Sequence, residues 1–477
     1  MSVLWLCWGF LALALWHLGL GSDAYMLVLF LAIAGLGVRA IARPQIWFGD
    51  LFVAASALYA SGFALILKPL LGQPLQANLH HPQAAATALF AGVAMLALVS
   101  DLARRLARGR RAPLAAPLAD PAVQGRLAVP VMAAGFAVLA LHVALRPRMV
   151  DGMVEQGAGF GGLGSLVFLL PLGLALALAR ASADRRAALA VALGGAGLVL
   201  MALTSNTRRE FAEFLLMLCA LPLILPGRDG RGAVWTALAL LMAAGMVLYA
   251  APLIHLMRGS FLTLGWAGRL DLALDLLSQH GFNPARLREA EGAFLRGFTH
   301  AWSENGSYVW PSTLPVDRFM LVLPVDQVLR AGTGLTGPGP FLREVAEGVL
   351  PSALIAKTAA TGADLVAWDH GIRQYGNAAR PVIGLAASAL AAAGWAGLAV
   401  VPLLVAGPVM LAGNLILGPL RGHPLGLFAV ALVWVLPEMT LDALAVFGLR
   451  ILPLVAFTLL LLGLGLRLRP RLAPSGA

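Results

Sequence analysis

Apolar windows separated by short polar turns fill most of the chain. They lie near residues 3–20, 24–42, 47–67, 84–102, 124–145, 161–180, 187–205, 211–226 and 233–256. Most match the roughly 20 apolar residues that a helix needs to cross about 30 Å of hydrocarbon. A polar section follows from 258 to 380. Beyond it come an uncharged stretch, 381–420, and two more windows near 425–440 and 448–466. The pattern predicts an all-α, polytopic integral membrane protein with one large, mostly helical section outside the membrane.

Arginine placement orients these helices, because cytoplasmic loops hold an excess of basic residues. Arg39 and Arg43 follow the second window, "RRLARGRR" (104–111) the fourth, "RASADRR" (180–186) the sixth and "GRDGR" (227–231) the eighth. The turns "GSDAY" and "QPLQANLHHPQ" contain no arginine. The N-terminus is therefore expected inside and 258–380 outside. The first window lacks a basic flank and a cleavage site, so it reads as a retained span.

The stretch 381–420 admits two readings. It crosses twice, or 381–396 lies as a short helix at the outer surface and only about 397–418 crosses. The second places Arg421 and the tail "RLRPRL" inside, with Glu438 and Asp442 outside, and charge favours it. It gives about 12 transmembrane helices with both termini cytoplasmic. Along the chain, 1–257 is then an N-terminal bundle of about nine spans and 258–380 the outer section. Residues 381–477 supply the surface helix and about three spans.

Composition narrows the class further. Of 477 residues, 60% are hydrophobic and 12% charged. Roughly half of an average soluble chain is apolar, so a soluble globule is excluded. The net charge of +11 fits basic loops against cytoplasm and anionic lipid rather than nucleic acid. Cys7 and Cys219 fall inside apolar runs, which predicts neither a disulfide nor a metal cluster.

The outer section holds the chemistry. "PARLREAEGAFLRGF" (284–298) sets Arg and Glu on one side and Leu and Phe on the other, so it should lie on the membrane face or cap the bundle. "AGTGLTGPGPF" (331–341) breaks the section into short pieces. Trp266, Trp302, Trp310 and Trp368 suit interface anchoring or stacking on sugar rings. Charge is grouped in "THAWSEN", "LPVDRFMLVLPVDQVLR", "PFLREVAEG" and "AWDHGIRQYGNAAR". His300, Glu304, Asp317, Asp369 and His370 are each able to act as a general base. The section has no DxD pair or metal-ligand spacing, and the chain has no P-loop, GxSxG or nucleotide fingerprint. A metal-free, cofactor-free reaction driven by an activated substrate is expected.

The segment "TSNTRREFAEFLLML" (204–218) puts Arg208 and Arg209 on the outer face, against the positive-inside bias. Either Glu210 and Glu213 compensate them, or a lipid-borne diphosphate does. A guanidinium binds phosphate oxygens through two parallel hydrogen bonds and stabilises charge on a leaving diphosphate.

This layout resembles the Wzy-type O-antigen and exopolysaccharide polymerases, within the wider group that includes O-antigen ligases. The likeness rests on one large outer section late in a many-span chain and on the arginine-bearing opening of a span at 204–218. It rests also on "RPVIGLAASALAAAGWAGLAVVPLLVAG" (380–407), with its proline, small residues and Gly-aromatic-x-Gly run. The family often has an acidic or tyrosine residue after that proline, where this chain reads "GLAASALAAAG". The resemblance implies a GT-C-like membrane glycosyltransferase. It would join repeat units carried on undecaprenyl diphosphate at the periplasmic face of the bacterial inner membrane.

The implied partners are that lipid-linked oligosaccharide, membrane lipids and other polysaccharide assembly and chain-length proteins. Arg208 and then Arg209 would hold the diphosphate, with Arg318, Arg330 and Arg343 as further candidates. Asp317 or His300 would be the base. Two alternatives share the plan. An O-antigen ligase, or another lipid-linked sugar transferase, calls for a strongly basic outer section, yet 258–380 has 11 basic and 11 acidic residues. A precursor transporter or flippase calls for charges along mid-span paths.

Overall fold

A main-chain amide or carbonyl in hydrocarbon must find its partner within the chain, and a helix achieves this locally. The computed structural model describes residues 3–110, 112–144, 149–150, 153–154, 163–205, 208–226, 231–261, 263–296, 307–310, 319–350, 354–355, 360–373 and 382–468. Among them, regular structure is helical apart from one antiparallel pairing of Met149–Val150 with Met153–Val154. Eight helices are long and apolar enough to cross a membrane. They are Ala24–Ile41, Phe48–Leu70, Pro82–Ala107, Pro121–Ala144, Arg185–Leu203, Ala237–Leu256, Gly384–Leu417 and Leu441–Gly465. Three windows become shorter apolar helices, Trp8–Gly19, Gly164–Arg180 and Leu425–Glu438. The window 211–226 becomes the 17-residue helix Arg208–Ile224. The chain is a multi-pass helical membrane protein.

Contacts group the chain into two units that do not follow sequence order. The first comprises Met1–Arg110, Phe298–Leu415 and Val433–Pro453; the second comprises Arg111–Gly297, Ile416–Leu432 and Leu454–Ala477. The polar section is thereby shared, with 258–297 in the second unit and 298–380 in the first.

Within the first unit, polar residues collect at the two ends of the helices. At one end Arg43 bridges Asp50 and Asp101, the latter at 2.5 Å, while Arg39 and Arg104 each reach Asp101 at 3.2 Å. Asp50 is fully buried and also accepts the Trp47 N–H at 3.0 Å. The network ties the end of Ala24–Ile41 to the start of Phe48–Leu70 and the last turns of Pro82–Ala107. At the other end Lys68 is fully buried. Its ammonium donates to Gln73 Oε1, Ala77 O and Tyr308 O, and lies 4.0 Å from the Tyr308 ring centre. This latch fastens 307–310 to the mouth of Phe48–Leu70.

The stretch 381–420 is broken. Ala393 (φ −145°, ψ 21°) and Gly394 (φ 60°, ψ −151°) leave helical geometry inside Gly384–Val401. The second of these angles belongs to glycine. The chain doubles back so closely that a Cβ at Gly397 would lie 2.1 Å from the Ala389 carbonyl oxygen. The expected short helix before the break exists. Leu385 and Ala387 through Ala392 are buried within the unit. Its terminal carbonyls, Leu390 O and Ala391 O, accept the N–H groups of Gly334 and Gly337 from the "GTGLTG" loop. A helix whose last carbonyls are met this way can end inside protein.

The second unit packs through glycine. A Cβ at Gly135 would fall 2.3 Å from Leu170 N, and one at Gly173 would fall 2.3 Å from Met132 N. Pro121–Ala144 and Leu169–Arg180 therefore meet backbone to backbone. Dispersion contact drives such packing where apolar burial gains little over lipid.

Removing one partner of a buried ion pair strands the other and costs about 3–5 kcal/mol, against about 0–1 kcal/mol for an exposed pair. Asp50→Ala should therefore lower the melting temperature of the detergent-solubilised protein markedly. Arg39→Ala, whose side chain is 62% exposed, should change it little in the same melt.

Candidate functional site

The first unit contains a narrow apolar cleft. Small residues create it. Ala60, Gly92, Ala386 and Ala389 leave room between Phe48–Leu70, Pro82–Ala107 and the broken helix. Ser56 is its one polar lining side chain. Ala60 and Pro402 lie in π-turns, Leu58–Gly62 and Pro402–Ala406, and such turns recur at functional sites. A cleft without polar partners holds water poorly and suits a hydrocarbon chain.

Polar groups adjoin one end of the cleft. Pro437 lines it and precedes Glu438, whose carboxylate accepts the Tyr59 hydroxyl at 2.8 Å. The Tyr59 ring is packed edge-on to Phe63, Phe319 and Trp434 at 4.8–5.7 Å between centres. On Val322–Ala331, Asp326 is fully buried and accepts the N–H groups of His80 at 2.9 Å and His81 at 2.6 Å. The carboxylate thus caps the start of Pro82–Ala107, where free amides and the helix dipole favour negative charge. One turn later, the exposed Arg330 places Nη1 2.9 Å from His80 Nε2.

A second charged group follows. Arg343 Nε binds Glu347 at 2.7 Å; the carboxylate is buried, and 60% of the arginine side chain is exposed. Arg373 Nη2 binds Asp364 at 2.6 Å, with its guanidinium 5.3 Å from the Trp368 ring centre. Burial alone would push the Asp364 carboxyl up. Hydrogen bonds from the Thr361 N–H and hydroxyl, together with Arg373, hold it below the ordinary value of 3.8. Asp442 lies beside Gly362, and its buried Oδ1 has no hydrogen-bond partner among the described residues.

The structure distributes the ten sequence candidates unevenly. Arg330, Arg343, Asp369 and His370 lie in the first unit, and Asp369 and His370 both meet the glycine-rich loop. Thr336 donates to Asp369 Oδ2 at 2.8 Å. His370 is buried, with Nδ1 3.0 Å from Val366 O and Nε2 3.2 Å from Gly332 O. Both ring nitrogens thus face carbonyl oxygens, so neither is poised to take a proton from a substrate. Asp369 is exposed and retains open acceptor capacity.

Arg209 and Arg208 lie in the second unit. Arg209 pairs with Glu213 at 2.8 Å, the nearby acid foreseen as its alternative partner. Arg208 opens its helix. His300, Glu304, Asp317 and Arg318 lie outside the described residues.

No family model matches the chain, and none of the curated proteins or solved structures matches it. The site's own chemistry carries the functional argument.

Sequence reasoning passed over Tyr59, Lys68 and the pairing role of Asp364. One of these left a signal: Lys68 is one of two lysines in a chain with 34 basic residues, and it sits at the very end of an apolar window. A cation there demands fixed acceptors.

The Asp364–Arg373 pair has a defined pH response. A carboxyl whose folded value is depressed adds stability above its unfolded value, and this is lost as pH falls through the folded value. The pair should stay intact down to the ordinary carboxyl range and open only below it. Wild type minus Trp368→Phe fluorescence should report that acid transition, and Asp364→Asn should abolish it.

Proposed function

We propose that the chain is a membrane glycosyltransferase that polymerises oligosaccharide repeat units carried on a prenyl diphosphate such as undecaprenyl diphosphate. The observation that carries the reading is the apolar cleft, set among membrane-crossing helices, in the same unit as exposed arginines. That combination suits a ligand with a long hydrocarbon chain and an anionic head.

In this reading the cleft takes the prenyl segment nearest the head, and Arg343 and Arg330 take the diphosphate. Arg343 offers its two terminal nitrogens, since Nε is the atom paired with Glu347. A fork of parallel donors matches phosphate oxygens. The acceptor sugar's hydroxyl oxygen forms the new bond to the anomeric carbon of the donor glycan. The bond from that carbon to the diphosphate oxygen breaks, and the electron pair leaves on the diphosphate, where arginine stabilises it. A carboxylate or imidazole takes the hydroxyl proton. Among the described candidates Asp369 is the better placed, because both nitrogens of His370 are engaged. His300, Glu304 and Asp317 stay on the roster for this role, as Arg208 and Arg318 do for the diphosphate.

The arginine count supports twelve spans, with both termini cytoplasmic and the Arg43–Asp50–Asp101 end facing the cytoplasm. The cleft's polar end then faces the periplasm of a bacterial inner membrane, where lipid-linked units await assembly. A GT-C-like arrangement fits this plan.

The test is a polymer ladder made by the purified protein from the host's lipid-linked repeat units. Removing one preorganised donor to a transition-state oxyanion costs about 100- to 1,000-fold in rate. Arg343→Ala should lose about that much while remaining folded, and Arg330→Ala should lose activity in the same direction. Arg209→Ala should largely keep it, because Glu213 already engages that arginine. Folded wild type that makes no ladder on its own substrate would overturn the proposal, leaving the ligase and flippase readings.

A further inference from the structure

In the second unit, helices Trp266–Gln279 and Pro284–Arg296 form a hairpin against the end of the membrane helix Ala237–Leu256. Leu253 and Met257 from that end pack with Ala273 and Leu287 in a small buried cluster, with Leu272, Leu276 and Leu277 around it. Between Leu253 and Met257 on the same seam, His255 meets Glu291, both buried. Contacts climb in step, with 282 at 249 and 291 at 255. Pro284–Arg296 rises along the membrane helix rather than leaving it.

The hairpin's turn lies deeper still. Tyr249 donates its hydroxyl to Phe282 O at 3.3 Å. Tyr249 is seven residues before Leu256, which at 1.5 Å per residue is about 10 Å below the helix end. Helical side chains lean toward the N-terminus, so the tyrosine hydroxyl sits at or below that level. The turn is thus held beside the outer part of a membrane-crossing helix.

Its composition and backbone suit that depth. Gly281 (φ +60°) and Phe282 (φ +53°) adopt left-handed geometry, which is uncommon for a phenylalanine. The result presents the Phe282 ring outward, 60% exposed, with Leu274 52% exposed on the preceding helix. The N–H groups of the turn are internally satisfied. His280 N–H bonds Leu276 O, Gly281 N–H bonds Ser278 O, Phe282 N–H bonds Leu277 O and Asn283 N–H bonds His280 O. Asn283 Oδ1 then accepts the Ala285 N–H, and Tyr249 takes up the Phe282 carbonyl. Donors bonded within the chain suit a lipid boundary, where water is scarce.

We infer that residues 266–296 are a monotopic hairpin whose turn lies in the membrane interface, with Phe282 and Leu274 packed among lipid chains. Arg286, Arg288 and Glu289 face water from the exposed side of the second helix. The occupant of the exposed apolar face is the bilayer in which the neighbouring helix already sits. The hairpin therefore keeps this part of the polar section at the membrane surface whatever chemistry the first unit performs.

Depth-dependent quenching tests this. Cys7 and Cys219 would be replaced by alanine. Phe282→Cys, Leu274→Cys and Glu289→Cys would then each be labelled with a bimane fluorophore. The proteins would be placed in vesicles of phosphatidylethanolamine and phosphatidylglycerol. Labels at 282 and 274 should lose fluorescence to doxyl-bearing lipid and resist aqueous iodide, with the opposite order at 289. Leu274→Cys lies on a regular helix and keeps the test open if the strained position 282 tolerates cysteine poorly. Iodide quenching at 282 and 274 as strong as at 289 would overturn the inference. Protection from both quenchers, with a disulfide between 282 of two chains, would overturn it in favour of a second copy.

Discussion

A polar group in hydrocarbon has no water to fall back on, and the placement of this protein's polar residues follows from that constraint. Helices answer it for the main chain. For side chains the answer is to move charge to the helix ends and fix it there. Asp50 with Arg43, Lys68 with three oxygens and a ring, and Asp326 with two main-chain amides are all fully buried and closely partnered. Each also ties separate chain segments together. The same contacts that remove a desolvation penalty thus set the packing of the first unit.

Against that background, apolar space and open charge stand out. The cleft exists because Ala60, Gly92, Ala386 and Ala389 are small and because the helix breaks at Gly394, which lets a buried helix end where the glycine-rich loop can cap it. Arg330 and Arg343 differ from Arg43 and Arg373 in being exposed, each with one nitrogen engaged and others open. Their lying in the same unit as the apolar cleft is what supports the proposal of an amphipathic anionic ligand.

The helices were legible in the sequence because hydropathy is local, and eight of them are long and apolar enough to cross a membrane. Arg209 with Glu213 was legible as neighbours four apart on one helix face. Long-range partnerships left no such trace. Lys68 and Tyr308 are separated by 240 residues, and Asp326 and His81 by 245, so no spacing rule reaches them. "AASALAAAG" shows why the packing of 384–392 inside its unit left no trace in the sequence. A run of small residues reads alike whether it lies at a surface or inside a close-packed unit, and only the Ala389 oxygen beside Gly397 reveals which. The amphipathic face of 284–298 was visible. That Glu291 sits on its buried side, answered by His255, was not.

The measurement that bears most directly on the central claim is photo-crosslinking with a prenyl diphosphate whose benzophenone is carried close to the head. The account predicts crosslinked peptides containing Ala60, Leu96 or Ala386, competed away by unlabelled prenyl diphosphate and weakened by Arg343→Ala. Crosslinks confined to other helices, or unchanged by Arg343→Ala and by competitor, would contradict it.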